Sequence, residues 1–403
     1  MADLLVRVGA NDEALVRRLY GLGGLRGAAR VPHRLVVDAH VPQRNPELAR
    51  SASRAGVPYL VDPQTHFLQD VQHAADPWAK LPYATPLALT PNDLMSQARQ
   101  DVLVAQCVEH QIVADATTII APYVHIENVA NGWPEVQAAL WRRTRIFLKR
   151  NDVHLPMIAV IALGWRTLHR LQGVRKLGPL WSALNDLDPS EVGLAASRVH
   201  AGVRPDERLA ELLSLVGRLS RRFPVLMWQQ GLLGEACVIA GAAGYETGLG
   251  QREKCDLNTA MTSHRNPPNG NFGPRGVYID ALKRSIPKRS VEELSTHRRL
   301  WARIICTDAR CCPAAGIALL GDAREHAVVS RARSLEAISQ PHQLNWKWNQ
   351  LAVATADGLD LAARINTLAA QQPSINKVDT AVLDAMHILA EARRHHRRAR
   401  RVA

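Results

Sequence analysis

Eight short apolar runs, each followed by a longer amphipathic stretch, constrain the fold of this chain more than any other feature. The runs are four to eight residues long and are rich in Val, Ile and Leu. A strand buried on both faces, as in a parallel sheet, reads as a continuous apolar run. The pattern therefore predicts eight parallel strands separated by helices. The runs are Leu4–Val8, Leu35–Asp38, Pro58–Asp62, Thr117–Ala121, Pro156–Leu163, Val192–Ala196, Pro224–Trp228 and Ala243–Glu246.

Eight such units in about 250 residues match a (β/α)8 TIM barrel, although an open doubly wound sheet gives a similar alternation. The segment Val8-Gly9-Ala10-Asn11 lacks the G-x-G-x-x-G spacing, which argues against a Rossmann nucleotide site. Beyond about residue 248 the alternation gives way to a Pro-, Gly- and Asn-rich loop and then to helical patterns. We therefore predict an α/β chain with a barrel over residues 1–290 and a small, mostly helical C-terminal segment over residues 291–403.

The charge balance favours polyanionic partners. The formal net charge is +13, and the stretch from Glu391 to Ala403 holds six arginines and one acid. Such a surface is typical of nucleic-acid binding, with a merely solvated surface as the alternative. The chain has no apolar run of 18 residues and no basic leader at its N-terminus, so we expect no membrane span and no secretory signal. With only six cysteines in 403 residues, a cytoplasmic protein is the expectation.

Three of the apolar runs end in a carboxylate: Asp38, Asp62 and Glu246. In a barrel, catalytic groups lie at the carboxyl ends of the strands, and a ring of strands points them toward one centre. Paired carboxylates in a partly dry site separate in pKa, so that one can act as nucleophile while another donates a proton. These three residues are therefore our catalytic candidates. As structural alternatives, Asp62 would cap the turn at Pro63 and Glu246 would pair with Arg252 or another nearby basic residue.

Other polar and aromatic side chains follow the same runs and are candidates for substrate binding. A histidine after a strand is also often just a hydrogen-bonded structural group. The candidates are Gln64, His66, Tyr123, His125, Trp228, Gln229 and Gln230.

A cysteine cluster in the C-terminal segment predicts one structural zinc ion. Cys306, Cys311 and Cys312 are followed by His326, and three thiols with one imidazole suit the tetrahedral preference of zinc. The spacing differs from that of a standard zinc knuckle, so Cys255 is an alternative ligand, and incidental buried thiols are the alternative to a metal. The chain lacks an H-E-x-x-H motif, which argues against a catalytic zinc.

The order of these parts resembles the tRNA-guanine transglycosylase superfamily, including the branches that insert deazaguanine bases into DNA. That family carries an early T-D-S-G-G-F-Q segment, and the segment from Val61 to Gln69 keeps its Asp, Phe and Gln but lacks the glycine pair. The family's late G-I-D segment corresponds to Gly244-Tyr245-Glu246, with Glu in place of Asp. Its clustered cysteines and distant histidine correspond to the cysteine cluster and His326.

The resemblance implies a base-exchanging enzyme that acts on tRNA or DNA and takes a small free base as its other substrate. The nucleophile would be Glu246, or Asp38 in another register, and Asp62 would transfer protons or recognise the base. Gln229 and Gln230 would read base edges, and the flipped base would rest on Trp228 or Tyr123. The alternatives are a barrel enzyme acting on a small molecule, and a non-catalytic scaffold that binds nucleic acid. A homodimer or a partner protein is also compatible with the sequence.

Overall fold

The computed structural model describes residues 2–23, 30–168, 177–202, 204–268, 275–314 and 316–395. Part of the predicted loop before Gly276 and the basic residues after His395 lie outside these ranges. Within the described ranges, no helix is long and apolar enough to cross a membrane.

The main sheet is a ring of parallel strands. Its strands pair in the order β3-β2-β1-β9-β8-β7-β6-β4. Strand β5 also pairs with β6, so β4 and β5 together occupy one strand position of the barrel. A parallel bridge between Leu60 and Thr118 joins the two ends of this order. The eight-stranded barrel is therefore confirmed, and the open doubly wound sheet is not what forms. The strands are β1 Asp3–Arg7, β2 Arg34–Asp38, β3 Tyr59–Asp62, β4 Ile119–Ile120, β5 His125–Ile126, β6 Met157–Gly164, β7 Glu191–Ser197, β8 Val225–Met227 and β9 Gly244–Thr247.

Helices surround the barrel and bury one face each against it. In Pro205–Leu219, for example, Pro205 opens the helix, two acidic residues occupy the first turn, and leucines at three- and four-residue spacing are buried. The helices of this layer are α1 Glu13–Tyr20, α2 Val41–Arg44, α3 Glu47–Ala55, α4 Pro91–Leu94, α5 Gln97–Val113, α6 Trp133–Arg150, α7 Trp165–Leu168, α8 Gly178–Leu187, α9 Pro205–Leu219, α10 Gly234–Ile239 and α11 Leu257–Ser263.

The C-terminal segment, residues 291–403, is mostly helical in its described part, as predicted, and an antiparallel hairpin that the sequence did not indicate precedes it. The hairpin turns at Lys283, which has φ 53°, where a Gly or Asn would have given a turn signal. The elements are β10 Val277–Ile279, β11 Arg284–Ile286, α12 Lys288–Ser295, α13 Arg298–Ile304, α14 Ile317–Leu320, α15 Arg324–Ser339, α16 Leu344–Ala369 and α17 Ala381–His395.

The alternation of side chains along the strands places the site. Leu5, Val36 and Leu60 belong to an apolar layer inside the barrel, whereas Leu4 and Val6 pack outward. Because strand side chains alternate with a period of two, the next inward positions toward the carboxyl ends are polar. These positions are Arg7 on β1, Asp38 on β2, Asp62 on β3 and Glu246 on β9.

Candidate functional site at the barrel mouth

One buried arginine holds the three predicted carboxylates together. Arg7 Nε donates to Glu246 Oε1 over 2.5 Å, Nη1 to Asp38 Oδ1 over 2.5 Å, and Nη2 to Asp62 Oδ2 over 2.6 Å. The side chains of Arg7, Asp62 and Glu246 are at most 3% exposed. The three carboxylates converge on one centre as expected, but that centre is occupied by the guanidinium group of Arg7.

Burial and the neighbouring charges shift the pKa values of the groups in this ion cluster. Burial alone would lower the pKa of Arg7, but the attraction of Glu246, Asp62 and Asp38 outweighs it and raises that pKa well above its usual value. Burial would likewise raise the pKa of Asp38, yet Arg252 and Arg7 hold it far below its usual range. Burial raises the pKa of Glu246, and Arg7 opposes this shift only in part. Of Asp38 and Glu246, Asp38 is therefore the more firmly ionised.

Asp62 is saturated with hydrogen bonds. Besides Arg7, its Oδ2 accepts from Trp228 Nε1 over 3.1 Å. Its Oδ1 accepts from Tyr123 OH over 2.9 Å and from the Gln64 backbone N–H over 3.0 Å. The turn-capping alternative is thus realised alongside the ion pair. Asp62, Tyr123 and Trp228 form one buried hydrogen-bonded unit beneath the mouth.

A cavity of about 490 Å³ lies above this unit at the carboxyl ends of the strands. Among the described residues, its lining includes Arg7 and Asp38 but neither Asp62 nor Glu246. Arg252, which is half-exposed, lines it and pairs with Asp38. The predicted pairing of Glu246 with a basic residue is therefore formed, but with Arg7 and not with Arg252.

Two of the histidines that line the cavity, His66 and His40, have buried ring nitrogens without a partner among the described residues, whereas His264 Nδ1 lies 2.9 Å from Asp76 Oδ2. His66 is 1% exposed, and neither of its ring nitrogens has a hydrogen-bond partner among the described residues. Burial, together with His125, His264 and Arg7, lowers the pKa of His66 well below its usual value, so the ring is neutral. His40 also lines the cavity, its Nδ1 is buried without a partner, and burial lowers its pKa as well.

Three residues that line the cavity have left-handed backbone: Gln64 at φ 51°, Gln229 at φ 54° and Arg252 at φ 54°. The two glutamines use this conformation to turn a backbone N–H onto a carboxylate, Gln64 onto Asp62 and Gln229 onto Glu246 over 3.3 Å. Backbone of this kind costs about 1–3 kcal/mol per residue and clusters at functional sites.

The seven substrate-binding candidates divide into three groups: those that line the cavity, those that lie below it, and Gln230 and His125, which do neither. Gln64, His66 and Gln229 line the cavity, whereas Tyr123 and Trp228 lie below it on Asp62. The Gln230 amide donates to the Ala196 carbonyl over 2.7 Å and is buried away from the cavity. His125 is 3% exposed and its Nε2 lies 3.8 Å from Glu127 Oε2.

The sequence reading missed the cationic half of the site. Arg7 ends β1 in the structure, but the apolar run predicted for this strand extends to Val8, so Arg7 was not recognised as a strand-end residue. Arg44, Lys254 and Arg275 line the cavity from loops and a short helix, and no strand pattern marks them.

The four predicted zinc ligands come together in the C-terminal segment. Their ligand atoms all lie within 4.8 Å of one another, and all four residues are buried. Cys306 Sγ lies 3.8 Å from Cys311 Sγ, and His326 Nδ1 lies 3.7 Å from Cys311 Sγ and 3.5 Å from Cys312 Sγ. Tetrahedral zinc, with bonds of about 2.3 Å to sulfur and about 2.0–2.1 Å to nitrogen, requires separations of roughly 3.8 Å and roughly 3.6 Å. The cluster can hold a metal ion such as zinc.

The surroundings of the cluster also fit a metal ligand set. His326 Nε2 lies 3.1 Å from the Tyr278 carbonyl oxygen, which fixes the tautomer and leaves Nδ1 for the metal. The adjacent Cys311 and Cys312 both take part, because a tight turn onto the Asp308 carbonyl brings both thiols to one side. Cys255 is not in this cluster: it packs with Trp228 in the barrel interior, so it is not the replacement ligand.

Comparisons with known proteins identify no family. No family model and no curated protein matches the chain. Among solved structures, the chain is similar to the orotidine 5'-phosphate decarboxylase from Pyrococcus horikoshii, with 13% identity and a TM-score of 0.32 over 66% of this chain and 98% of that one. It is also similar to a mutant O-GlcNAc hydrolase from Thermobaculum terrenum, with 11% identity and a TM-score of 0.36 over 97% of this chain and 94% of that one. Likenesses at this level say nothing about activity.

Proposed function

We propose that the protein is an enzyme that acts on a small anionic molecule held in the mouth cavity. The observation that carries this proposal is the state of His66, which lines the cavity and has two buried ring nitrogens that no other described residue pairs with. Leaving a buried polar group unpaired costs about 1–3 kcal/mol. A bound molecule that pairs with this imidazole would recover that cost.

The size and charge of the cavity support the same proposal. Its volume of about 490 Å³ falls within the range of about 300–1,000 Å³ that is usual for small-molecule sites. Arg44 and Lys254 line it, and in the described part of the chain neither has a carboxylate within 4.0 Å. These free cations favour a phosphate or carboxylate group on the ligand.

The chemistry that this arrangement supports is proton transfer. A neutral imidazole can take a proton from a bound molecule or donate its own N–H to it. His66 would fill this role, with Asp38 and Arg252 as fixed charges beside it. The strained turns at Gln64 and Gln229 would hold the walls of the cavity in place.

Turnover by the intact chain tests this proposal. The protein would be incubated with a panel of sugar phosphates, nucleoside monophosphates and dicarboxylates, and consumption followed by mass spectrometry. We expect one class to be consumed, and His66→Gln to lower the rate at least a hundredfold. His154→Gln, which changes an exposed histidine, is the matched control. Turnover that survives His66→Gln would contradict the assigned role.

A second candidate, base exchange on tRNA or DNA, is favoured by the convergence of Asp62 and Glu246 and by the Cys and His cluster that follows the barrel. For Glu246 to attack a sugar carbon, Arg7 would first have to release its carboxylate, since Oε1 is bound over 2.5 Å. The test is incorporation of labelled guanine or 7-deazaguanine into tRNA and into duplex DNA. Glu246→Gln should abolish incorporation and leave nucleic-acid binding intact.

Two outcomes of that assay would change this second candidate. Incorporation that persists in Glu246→Gln would move the nucleophile to Asp38. No incorporation by the wild-type protein into either nucleic acid would remove the candidate.

The cofactor we propose is one structural zinc ion held by Cys306, Cys311, Cys312 and His326. It would stabilise the C-terminal segment, because its ligands join the loop after α13 to α15 and, through Tyr278, to the hairpin. Thiolates and an imidazole supply four ligands, which leaves no open position for substrate.

A further inference from the structure

The floor of the mouth cavity carries a surplus negative charge. Two guanidiniums, Arg7 and Arg252, face three carboxylates, Asp38, Asp62 and Glu246. All of these side chains except Arg252 are at most 7% exposed. A buried charge without compensation is costly, so a proton or a cation is needed to balance the floor.

The rim of the cavity has the opposite sign. Arg44 and Lys254 have no acidic partner among the described residues, as noted above. Arg275 and Arg324 both bind Asp12 Oδ1, each over 2.8 Å, so two cations share one acid there. Arg324 is balanced in part by Asp322, and Asp256 also lines the cavity. These four cations outnumber the three acids Asp12, Asp256 and Asp322, so the rim as a whole stays positive.

We infer that the cavity selects a bipolar ligand, with a protonated nitrogen directed at the floor beside Asp38 and a phosphate or carboxylate at the rim near Arg44 and Lys254. This inference rests on the proposed function and names its substrate class. Asp38 is the carboxylate of the floor that lines the cavity, so it is the one a ligand reaches. A protonated nitrogen there would supply the missing positive charge.

The competing way to balance the floor is a proton on Glu246. Burial raises the pKa of this carboxyl group, which favours its protonated form. With that proton in place, the floor has no need of a ligand cation, and a hydroxyl group would bind as well as an ammonium group. The two accounts therefore differ in a measurable affinity ratio.

A pair of probes of equal shape separates them. O-phosphoethanolamine and 2-hydroxyethyl phosphate differ only in an ammonium and a hydroxyl group, and inorganic phosphate reports the rim alone. Affinities would be measured by NMR titration of the full chain at pH 7. We expect O-phosphoethanolamine to bind at least tenfold more tightly than 2-hydroxyethyl phosphate. Asp38→Asn should shrink this ratio below threefold, whereas Asp101→Asn, at an exposed acid on α5, should preserve it.

The outcomes distinguish this inference from the proposed function. Equal affinity of the two organic probes for the wild-type protein would overturn the bipolar ligand while leaving an anion site in place. Failure of all three probes to bind would overturn the proposed function as well. The two organic probes are compared on the wild-type protein, so this test does not depend on whether Asp38→Asn folds.

Discussion

Arg7 Nη2 lies 2.6 Å from Asp62 Oδ2 and joins the first strand of the barrel to the third across its interior. The same guanidinium also bonds Asp38 on β2 and Glu246 on β9, so one side chain ties four strands together at the mouth. The floor of the cavity is therefore also a structural element of the barrel.

Replacing Arg7 should strongly destabilise the fold. Arg7→Met leaves three buried carboxylates without their common cation, and breaking a buried ion pair in this way costs about 3–5 kcal/mol. The free energy of unfolding in urea measures the effect. Arg252→Gln is the control, because Arg252 is 51% exposed and its pairing with Asp38 is partly screened. We expect that variant to lose about 1 kcal/mol or less; equal losses would contradict the central role of Arg7.

The effect of removing Glu246 on the free energy of unfolding should depend on whether Arg7 is present. In the Arg7→Met background, Glu246→Gln removes one of the stranded charges and should recover part of the lost stability. In the wild-type background the same substitution relieves the surplus negative charge but also removes a partner of Arg7, so its effect on stability should be less favourable than in the Arg7→Met background. A double-mutant cycle from urea unfolding of the four proteins measures this coupling. Additive effects of the two substitutions would show that the pair is not coupled.

Stability should decline in mild acid because of buried neutral histidines. Burial lowers the pKa of His125 from 6.5 to about 4, so below pH 6.5 the unfolded chain takes up a proton that the folded chain does not. The stability from this group is complete above about pH 6.5 and is lost as the pH falls toward 4, by at most about 1.4 kcal/mol per pH unit. The free energy of unfolding of His125→Gln should therefore fall less between pH 7.5 and 5.5 than that of the wild type. His154→Gln, at an exposed site, should behave as the wild type does.

Protein purified without chelator should contain about one zinc per chain by elemental analysis. Cys306→Ser and His326→Ala should each lower the zinc content and the melting temperature. Cys255→Ala should leave the zinc content unchanged, since Cys255 lies in the barrel interior. A wild-type protein without metal and with freely labelled Cys306, Cys311 and Cys312 would contradict the site.

Nucleic-acid binding, if it follows from the charge, should depend on the arginines after His395. Arg393 lies 4.8 Å over the Trp348 ring, so a deletion that starts at residue 396 leaves this packing intact. It removes four arginines. The slope of log K against log salt concentration for tRNA or DNA binding should become less steep by up to about 0.9 per arginine. An unchanged salt slope would show that the tail makes no phosphate contacts.

The sequence predicted the barrel because its signal is local. Each of the eight apolar runs falls on a strand. The residues at the carboxyl ends of these strands lie together at the mouth of the barrel. The convergence of Asp38, Asp62 and Glu246 followed from that rule, as did the cysteine cluster from the ligand preference of zinc. These features depend on residue type and periodicity alone.

Features that depend on long-range packing were not predictable in the same way. Arg324, Arg275 and Asp12 are distant in sequence, and only the folded chain brings them to one rim. The hairpin at Lys283 gave no turn signal because a lysine occupies the left-handed position. Gln230 looked like a base-reading group from its place after β8, but its amide faces the neighbouring strand and bonds Ala196.

The most direct test of the account is the response of the His66 imidazole to a bound anion. Protein labelled with ¹⁵N-histidine would be titrated with inorganic phosphate and with the substrate class found by turnover, and the His66 ring signals assigned by their loss in His66→Gln. We expect a neutral ring at pH 7, because burial holds the pKa of His66 well below its usual value. We also expect the turnover substrate to shift these signals in a saturable way, and the double substitution Arg44→Ala with Lys254→Ala to weaken the response at least tenfold. Ring signals that stay unchanged while the ligand binds, or a ring that is protonated at pH 7, would contradict these expectations.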